Sequence, residues 1–480
     1  MPYAEPPTGA RRFQDPSPIS TLVDYDATGL PPACPQPLPV AASEDCLFLT
    51  VYTPVNVSPK SKLPVMLWLV GGSYYYGSTT AYGIDGSDLV KNENIIVVTV
   101  QHRLGALGFA RHDNFGLTGN YGVKDVVAAL EFVQSDISSF GGDPARVTVA
   151  GHSSGAELVK TLLVTPSASS LFARAILQSA PLDFVDQTPE TANSISEVFT
   201  SQLQCINRDC LVNAPIQAII GAQMATLGIG ASGGFSGISM LDSFFRPVVD
   251  SSFISNDFRA QVEQDVSSIA NSKSFLISTM RDEAAQHIAY YFQQPLDSFM
   301  FAPLVSQFFP GRAQQIIESG LYDPSNFHGS DAVRDAFTRI ATDFMWTCPN
   351  QRLAVKLARA GGTVYQAQFD LGISYSNKTI AYTANKPVHE NDLLALFHPT
   401  DAGLTPKQRT LVKEVQKRWA HFIKDGTPNA PRLARWTKVG VEQTNLNLLV
   451  LGAAADGKGQ IQQSQRIDAC EMENGAYVTL

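Results

Sequence analysis

The residues that could do chemistry begin with a serine held between two glycines. The segment Gly151-His152-Ser153-Ser154-Gly155 follows a β-branched run, Val147 to Ala150, and leads into a helix-compatible stretch. A serine on a sharp strand-to-helix turn needs glycines on both sides, because a side chain there would collide with neighbouring backbone. The pattern predicts that Ser153 is a nucleophile whose hydroxyl stands clear of a sheet. The register of the glycines excludes Ser154 from that role.

A second serine fits the same spacing, in Gly230-Ala231-Ser232-Gly233-Gly234. It lies in a Gly- and Ser-rich run over 228–237, and no apolar strand precedes it. Such a composition is typical of a loop. Ser232 is therefore the disfavoured alternative to Ser153.

The elements that must position Ser153 alternate between buried strands and helices. Continuous apolar runs over 63–70 and 95–100 are typical of strands buried on both faces. Helical spacing over 125–132 is broken by Gly141-Gly142-Asp143-Pro144, and a strand follows over 147–150. Strand, helix and strand in alternation predict an α/β fold with a parallel sheet and right-handed crossovers. We expect residues 1–480 to form a single domain with long insertions.

Composition and charge restrict the partners. The chain has 480 residues, of which 44% are hydrophobic and 16% charged, and its net charge is −9. An acidic chain without a cluster of lysine and arginine is not expected to bind nucleic acid. Since no stretch of 18 uninterrupted apolar residues occurs, no transmembrane segment is predicted either.

Four of the six cysteines form two close pairs, which predict disulfides that close short loops. The alternative is reduced thiols in a cytosolic protein, and metal binding is disfavoured because neither pair has Cys-x-x-Cys spacing. The state of the other two stays open. The predicted pairs are Cys34 with Cys46 and Cys205 with Cys210, and the unassigned cysteines are Cys348 and Cys470.

The predicted disulfides favour the secretory pathway and an extracellular location. Asn56 and Asn377 lie in Asn-x-Ser/Thr sequences and would be glycosylation sites there. The first residues contain neither the basic region nor the apolar core of a signal peptide. A cytoplasmic location is therefore the alternative.

Further motifs resemble one known family along the whole chain. The chain resembles the type-B carboxylesterase and lipase family, the cholinesterase-like, fungal branch of the α/β-hydrolases. The resemblance implies a large, mostly parallel sheet flanked by helices, insertions that form a gorge, and ester hydrolysis without a metal or organic cofactor. Members usually carry a signal peptide and a first β-hairpin before these motifs, and we expect this chain to lack both. The motifs occur in the family's order: 2–9, 43–49, 103–109, 176–179 and 419–422.

The resemblance assigns an acid and a base to Ser153. In α/β-hydrolases the chain order is serine, acid, histidine. His389 resembles the histidine of the family's His-Gly-x-Asp/Glu loop, with Glu390 in place of the glycine, and Glu283 resembles the acid of the Asn-x-Asp-Glu-Gly loop. The alternative for Asp282 and Glu283 is a solvated acidic turn. The other histidines after Ser153 are interpreted as surface or packing residues: His287, His328, His398 and His421.

An oxyanion hole is expected directly after the 63–70 strand. Backbone N–H groups of Gly72 and Ser73, with that of Ser154, are expected to converge on a developing oxyanion. The family usually has a third glycine where Ser73 stands, but a backbone donor survives that change. The alternative is a plain glycine turn.

The residue before the nucleophile departs from the family pattern. The family usually has a glutamate there, whereas this chain has His152, and Glu157 stands one helical turn past Ser153. We expect Glu157 to pair with His152 or to support the triad electrostatically. The alternative is that Glu157 bonds elsewhere.

Aromatic residues near the predicted site suggest the substrate. Tyr74 and Tyr75 beside the oxyanion loop, His152, and 290–292 after the acid predict an aromatic-walled gorge mouth, with core packing as the alternative. The segment 21–42 contains no tryptophan to hold a quaternary ammonium, which disfavours choline esters. Short-chain, aromatic or secondary-metabolite esters or lactones are favoured. The alternative functions are acyl transfer or lactonisation by the same triad, and a non-catalytic binding module.

Overall fold

The computed structural model describes most of the chain. The described ranges are 1–19, 25–80, 83–181, 186–232, 245–270, 273–373, 380–384, 386–397, 403–441, 447–464 and 468–470. Asn377 and His398 lie outside them. The other predicted glycosylation site, Asn56, is exposed.

Eleven strands lie within the described residues. Nine of them form one sheet, and two form a separate hairpin. The strands are β1 (Leu49–Tyr52), β2 (Leu63–Leu69), β3 (Ile96–Val100), β4 (Arg111–His112), β5 (Leu117–Thr118), β6 (Gly142–His152), β7 (Arg174–Gln178), β8 (Ser274–Met280), β9 (Thr363–Phe369), β10 (Asn447–Leu451) and β11 (Gln460–Gln463).

The large sheet has the order β1-β3-β2-β6-β7-β8-β9-β10-β11. All pairs from β3 to β10 are parallel, and the edge strands β1 and β11 are antiparallel. The mostly parallel sheet expected from the sequence is confirmed. The strand before Ser153 is longer than predicted, because Gly142 to Arg146 already belong to β6.

Helices connect these strands and cover the sheet. The longest, 406–425, starts where Thr405 accepts a hydrogen bond from the Gln408 backbone, and it ends at Gly426 with φ 71°. The helices are α1 (Ser87–Glu93), α2 (Gly105–Phe109), α3 (Tyr121–Asp136), α4 (Ser154–Leu163), α5 (Pro189–Gln202), α6 (Arg208–Asn213), α7 (Ile216–Ser232), α8 (Phe258–Asp265), α9 (Ser267–Ala270), α10 (Ala285–Tyr291), α11 (Phe301–Phe308), α12 (Ala313–Glu318), α13 (Ala332–Thr342), α14 (Cys348–Arg359), α15 (Asn391–Phe397) and α16 (Pro406–Asp425).

Both faces of the sheet are buried, which explains the unbroken apolar runs. In β2, Leu67 and Leu69 pack in a cluster that includes residues of α3 and α4. Met66 and Trp68 point to the opposite face and pack with residues of α15 and α16. Successive side chains of a strand alternate between faces, so both sets must be apolar when helices cover both sides.

A third apolar cluster consists mainly of residues from the long connection between β8 and β9. It contains residues of α10, α11 and α13, together with Trp346 in a π-helical turn over Asp343–Thr347. This insertion begins directly after the carboxyl end of β8. In parallel sheets that end of the strands is where ligand sites form.

Three disulfides join all six cysteines. Cys34 bonds to Cys46 and Cys205 to Cys210, which are the two pairs that the sequence predicts. The third bridge links Cys348, at the start of α14, to Cys470 over a separation of 122 residues. Among the described residues, no helix is both long and apolar enough to cross a bilayer.

The loop predicted around Ser232 begins later than expected. Helix α7 continues through Gly228 to Ser232, and the rest of the predicted loop lies outside the described residues. The helix buries Ile219 and Ala222 against the core, and this packing supports it despite its glycines.

Candidate active site

Ser153 lies at the turn between β6 and α4 in a strained conformation. Its φ is 54° and its ψ is −126°, which costs a non-glycine residue about 1–3 kcal/mol. A Cβ atom at Gly151 would lie 2.3 Å from the Gly155 carbonyl oxygen, and one at Gly155 would lie 2.2 Å from that of Leu69. Both glycines are therefore required for the turn. The geometry is that of a nucleophile elbow.

The structure brings His389 and Glu283 together although 106 residues separate them. Nδ1 of His389 lies 2.7 Å from Oε2 of Glu283. The other carboxylate oxygen, Oε1, accepts a hydrogen bond from the Met280 backbone N–H at 2.7 Å. Glu283 is fully buried. The carboxylate is thus held by two hydrogen bonds at the end of β8, and the imidazole is oriented by it.

The His389 imidazole is surrounded by negative charge. Burial by itself lowers its pKa, but the hydrogen bond and charge of Glu283, with the charges of Glu390 and Asp392, outweigh burial and raise the pKa above the ordinary value. An imidazole with a raised pKa is a stronger base. The surrounding negative charge also stabilises the imidazolium that would form when His389 takes a proton.

Glu390 explains why the family usually has a glycine after the histidine. Its φ is 74°, in the left-handed region, where a side chain is unfavourable. The turn that presents His389 is therefore retained at a cost in backbone strain.

The expected oxyanion loop follows β2 and faces the elbow. Gly72 has φ 126°, Ser73 φ 51° and Tyr74 φ 64°. A Cβ atom at Gly72 would lie 2.0 Å from the Tyr76 carbonyl oxygen, and one at Gly71 would lie 3.0 Å from Cβ of Ser153. The loop therefore passes directly beside the candidate nucleophile.

Hydrogen bonds hold this loop in place. The Gln36 side chain accepts from the Gly77 N–H at 3.0 Å and donates to the Gly77 carbonyl at 3.0 Å. The Tyr74 N–H donates to Oγ of Ser154 at 3.3 Å. Within the part of the chain that the structure describes, the N–H groups of Gly72, Ser73 and Ser154 donate to no protein acceptor. They are available to a ligand.

His152 pairs with Asp392, so the prediction that it pairs with Glu157 is wrong. Nε2 of His152 lies 3.3 Å from Oδ1 of Asp392, and both side chains are buried. The His152 and His389 rings are 4.6 Å apart between centroids. The elbow and the histidine loop therefore adjoin directly.

Asp392 is also held from its other side. Its Oδ2 accepts from Nε2 of Gln178 at 2.9 Å and from Oγ of Ser179 at 3.4 Å. Burial would raise the Asp392 pKa, but the interactions with His152 and Gln178 outweigh it and lower the pKa. The Gln178 carbonyl in turn accepts the Ser153 N–H at 2.9 Å. Gln178 thus links the elbow at Ser153 to Asp392 on α15.

Glu157 is instead buried beside Lys160. Their side chains lie 2.5 Å apart at an i, i+3 spacing on α4. Burial raises the Glu157 pKa to about 7, against the opposing charge of Lys160. Because a residue three positions along the helix reaches Glu157 more easily than the end of β6 does, the local pair forms.

The predicted pocket tyrosines, Tyr74 and Tyr75, have different environments. Tyr74 is buried and packs edge-on against Phe109, with the ring centroids 5.3 Å apart, so it belongs to the core. Tyr75 is half-buried. Burial, followed by interaction with Tyr290, raises the Tyr75 pKa. Burial also raises the Tyr291 pKa, and Tyr290 and Tyr75 add to that shift. Tyr75 therefore lies near Tyr290 and Tyr291 of α10.

Sequence patterns do not identify three residues beside His389. Asp392 gives no local signal, because its partners are distant in sequence. Trp346 and His287 place their rings 5.6 and 5.9 Å from the His389 ring, which agrees with the interpretation of His287 as a packing residue. Trp346 also donates from Nε1 to the Ser179 carbonyl at 3.0 Å. The sequence predicts an aromatic wall from other residues, namely Tyr74, Tyr75, His152 and 290–292.

Ser153 lies on a strained elbow at the end of β6, Glu283 follows β8, and His389 lies in the connection after β9. This arrangement is that of an α/β-hydrolase. Comparison with known proteins gives the family. A family model described as the carboxylesterase family (COesterase) matches residues 1–471. The chain belongs to this family and is a carboxylic ester hydrolase.

Individual relatives agree. Carboxylesterase 5A of Felis catus is 30% identical over 463 residues, which cover 91% of this chain and 83% of that protein. Cocaine esterase of Homo sapiens is 29% identical over 478 residues, covering 93% and 82%. The solved structure of a PNB esterase superposes with a TM-score of 0.78 at 27% identity, covering 98% of this chain and 94% of that one.

Proposed function

We propose that Ser153, His389 and Glu283 form a catalytic triad that hydrolyses carboxylic esters through an acyl-enzyme. The observation that carries the proposal is the 2.7 Å contact between Nδ1 of His389 and Oε2 of Glu283, at the same sheet edge as the strained Ser153. A carboxylate on Nδ1 keeps the proton there and leaves Nε2 free to accept one. His389 is then ready to act as a base.

In the first half-reaction, Nε2 of His389 takes the Ser153 hydroxyl proton while Oγ bonds to the ester carbonyl carbon. The carbonyl oxygen becomes an oxyanion, which the N–H groups of Gly72, Ser73 and Ser154 stabilise. The intermediate collapses, the bond to the alcohol oxygen breaks, and His389 returns the proton to that oxygen. An acyl-Ser153 ester and a free alcohol result.

In the second half-reaction, His389 takes a proton from water as the water oxygen attacks the acyl carbon. Collapse expels Oγ, which regains the proton from His389, and the carboxylic acid leaves. An alcohol in place of water would give a new ester, which is the acyl-transfer alternative. Adding a competing alcohol and measuring the ester-to-acid ratio of products separates the two outcomes.

The walls near the site support short-chain, aromatic or secondary-metabolite esters or lactones as substrates. Trp346 packs beside the His389 ring, and the half-buried Tyr75 lies in the oxyanion loop. Aromatic faces favour flat acyl or alcohol groups over long flexible chains. A series of p-nitrophenyl esters from acetate to palmitate tests this, and highest activity on palmitate would contradict it.

The triad itself is tested by covalent labelling. We expect a fluorophosphonate to modify Ser153 and to leave Ser153→Ala unlabelled and inactive. The matched control is Ser232→Ala, the serine in the second Gly-x-Ser-x-Gly sequence, which should label and turn over normally. Full activity of Ser153→Ala would refute the assignment.

We further propose that the protein functions as one domain in an oxidising compartment. One sheet contains strands from Leu49 to Gln463, which supports the single domain. Three disulfides and an exposed Asn56 support the secretory pathway. In protein from a secreting host, a mass loss after glycosidase treatment that is smaller in Asn56→Gln than in the wild type would identify Asn56 as a glycosylation site.

A further inference from the structure

His287 lies against the proposed base and has no role in the triad. It is on α10, one helical turn after Glu283. Its ring centroid is 5.9 Å from that of His389 and 6.2 Å from that of Trp346, whose plane is inclined to it by only 24°. These separations are within the range of aromatic packing. His287 is therefore fixed in the wall of the site by two neighbouring rings.

A nitrogen of this ring has no partner. Nδ1 of His287 is buried and makes no hydrogen bond among the described residues. Leaving a buried nitrogen unpaired costs free energy, so native proteins rarely do so without a function. Phenylalanine would pack against Trp346 without this cost. The His287 side chain as a whole is only half-buried, so a ligand can reach the ring and supply a bonding partner.

The charge state of His287 defines what that partner could be. Burial, reinforced by the neighbouring His389, lowers the His287 pKa to about 3. The ring is therefore neutral at the pH at which His389 could act as a base. A neutral imidazole donates from one nitrogen and accepts at the other. It suits a neutral polar group, such as a hydroxyl or a carbonyl, rather than an anion.

The remaining surroundings are flat and largely apolar. Trp346 covers one side of His287, and Tyr291 follows on the same helix, near Tyr75 of the oxyanion loop. A polar group that reaches His287 must therefore be carried by a group that tolerates aromatic walls. An aromatic or conjugated ring close to the ester does so.

We propose that His287 is a specificity-determining residue that hydrogen-bonds a hydroxyl or carbonyl group on an aromatic or conjugated acyl group of the ester substrate. The inference rests on the proposed function and names its substrate class. It predicts that hydroxylated aromatic acid esters are preferred over their unsubstituted parents, and that this preference depends on residue 287.

The test compares two variants on matched substrates. His287→Phe keeps a flat ring and removes both nitrogens, whereas His287→Gln keeps a donor and an acceptor. The substrates are the methyl esters of cinnamic acid and of its three monohydroxylated isomers. The measured quantity is the ratio of kcat/KM for each hydroxylated ester to that for the parent, because a general loss of activity cancels in this ratio.

For the wild type we expect a ratio of about ten for at least one isomer, the size of one good hydrogen bond in an enclosed site. His287→Phe should lower that ratio to about one, and His287→Gln should lie between. His328→Phe is the matched control, since His328 is exposed, and it should keep the wild-type ratio.

Three results would overturn the inference. The wild type could show no preference for any hydroxylated ester, His287→Phe could keep the wild-type ratio, or the Phe and Gln variants could have equal ratios, which would indicate packing alone. In each case activity on p-nitrophenyl acetate that is lost in Ser153→Ala would leave the proposed function intact. A wild type without activity on any ester would refute both.

Discussion

Replacing Glu283 with glutamine should nearly abolish turnover, and the structure shows why an amide of the same shape cannot substitute. Oε1 of Glu283 accepts a hydrogen bond from the Met280 N–H, while Oε2 faces Nδ1 of His389. In Glu283→Gln the amide oxygen must stay on the Met280 N–H, because the NH₂ group cannot accept it. The NH₂ group therefore faces His389.

This orientation forces the wrong tautomer on the imidazole. Nδ1 of His389 must then accept a hydrogen bond from the amide, so the ring proton moves to Nε2. A protonated Nε2 cannot take the proton of Ser153. Losing the correct tautomer and the charge that stabilises the imidazolium typically costs about 10⁴-fold in kcat. This loss corresponds to about 5.4 kcal/mol of transition-state free energy.

The assay is the pH dependence of kcat and kcat/KM for p-nitrophenyl acetate with folded, purified variants. Because Glu283 raises the His389 pKa, any residual activity of Glu283→Gln should have its acid limb at lower pH than the wild type. The matched control is Asp282→Asn, the adjacent carboxylate, which pairs with Arg281 at 2.9 Å and should stay within about threefold of wild type.

The reasoning would be refuted if Glu283→Gln kept more than a tenth of the wild-type kcat. It would also be refuted if the acid limb of the residual activity did not move. Equal losses in Glu283→Gln and Asp282→Asn would show that the loop, and not the carboxylate on Nδ1, matters.

Three further perturbations have definite outcomes. Asp392→Asn removes a charge that raises the His389 pKa, so the acid limb of kcat/KM should move to lower pH; an unmoved limb would contradict the charge argument. Glu390→Gly should relieve the strain at φ 74° and raise the free energy of unfolding by about 1 kcal/mol in a denaturant titration, and a decrease would show that the Glu390 side chain stabilises the turn. Replacing both Cys348 and Cys470 with serine opens a loop of 122 residues and should lower that free energy by about 2–5 kcal/mol; no change would mean that the bridge does not constrain the unfolded chain.

Much of the central fold could be predicted because its elements have local causes. The strands at 63–70 and 95–100 are continuous apolar runs, and burial on both faces leaves no other pattern for them. The elbow at Ser153 could be located because the Gly-x-Ser-x-Gly spacing is a local signal, although Gly155 is required by the Leu69 carbonyl of a neighbouring strand. The end of α7 was predicted too early, because glycines near 228 favour a loop locally. The core contacts that support the helix come from distant residues and are not visible in the local sequence.

The surroundings of the proposed triad were less predictable, since they depend on contacts between distant segments. His152 and Asp392 are 240 positions apart, and only the sheet order, with β7 beside β6, brings the Asp392 partners Gln178 and Ser179 to the elbow. The consecutive tyrosines 74 and 75 have similar sequence surroundings. Tyr74 is buried and Tyr75 half-buried because residues 72–74 of the loop have positive φ, which the sequence Gly-Ser-Tyr does not predict.

The error over Glu157 has a physical meaning for the site. A carboxylate expected before the nucleophile is absent, but the negative charge has not moved to α4; it stands at Asp392, across the His152 ring. Buried carboxylates are tolerated only when hydrogen bonds compensate for lost hydration. The Glu283 carboxylate is hydrogen-bonded to the Met280 N–H and to His389. The Asp392 carboxylate accepts hydrogen bonds from Gln178 and Ser179. Because each carboxylate is anchored independently of the other, His389 can gain and lose a proton between them without either anchor being broken.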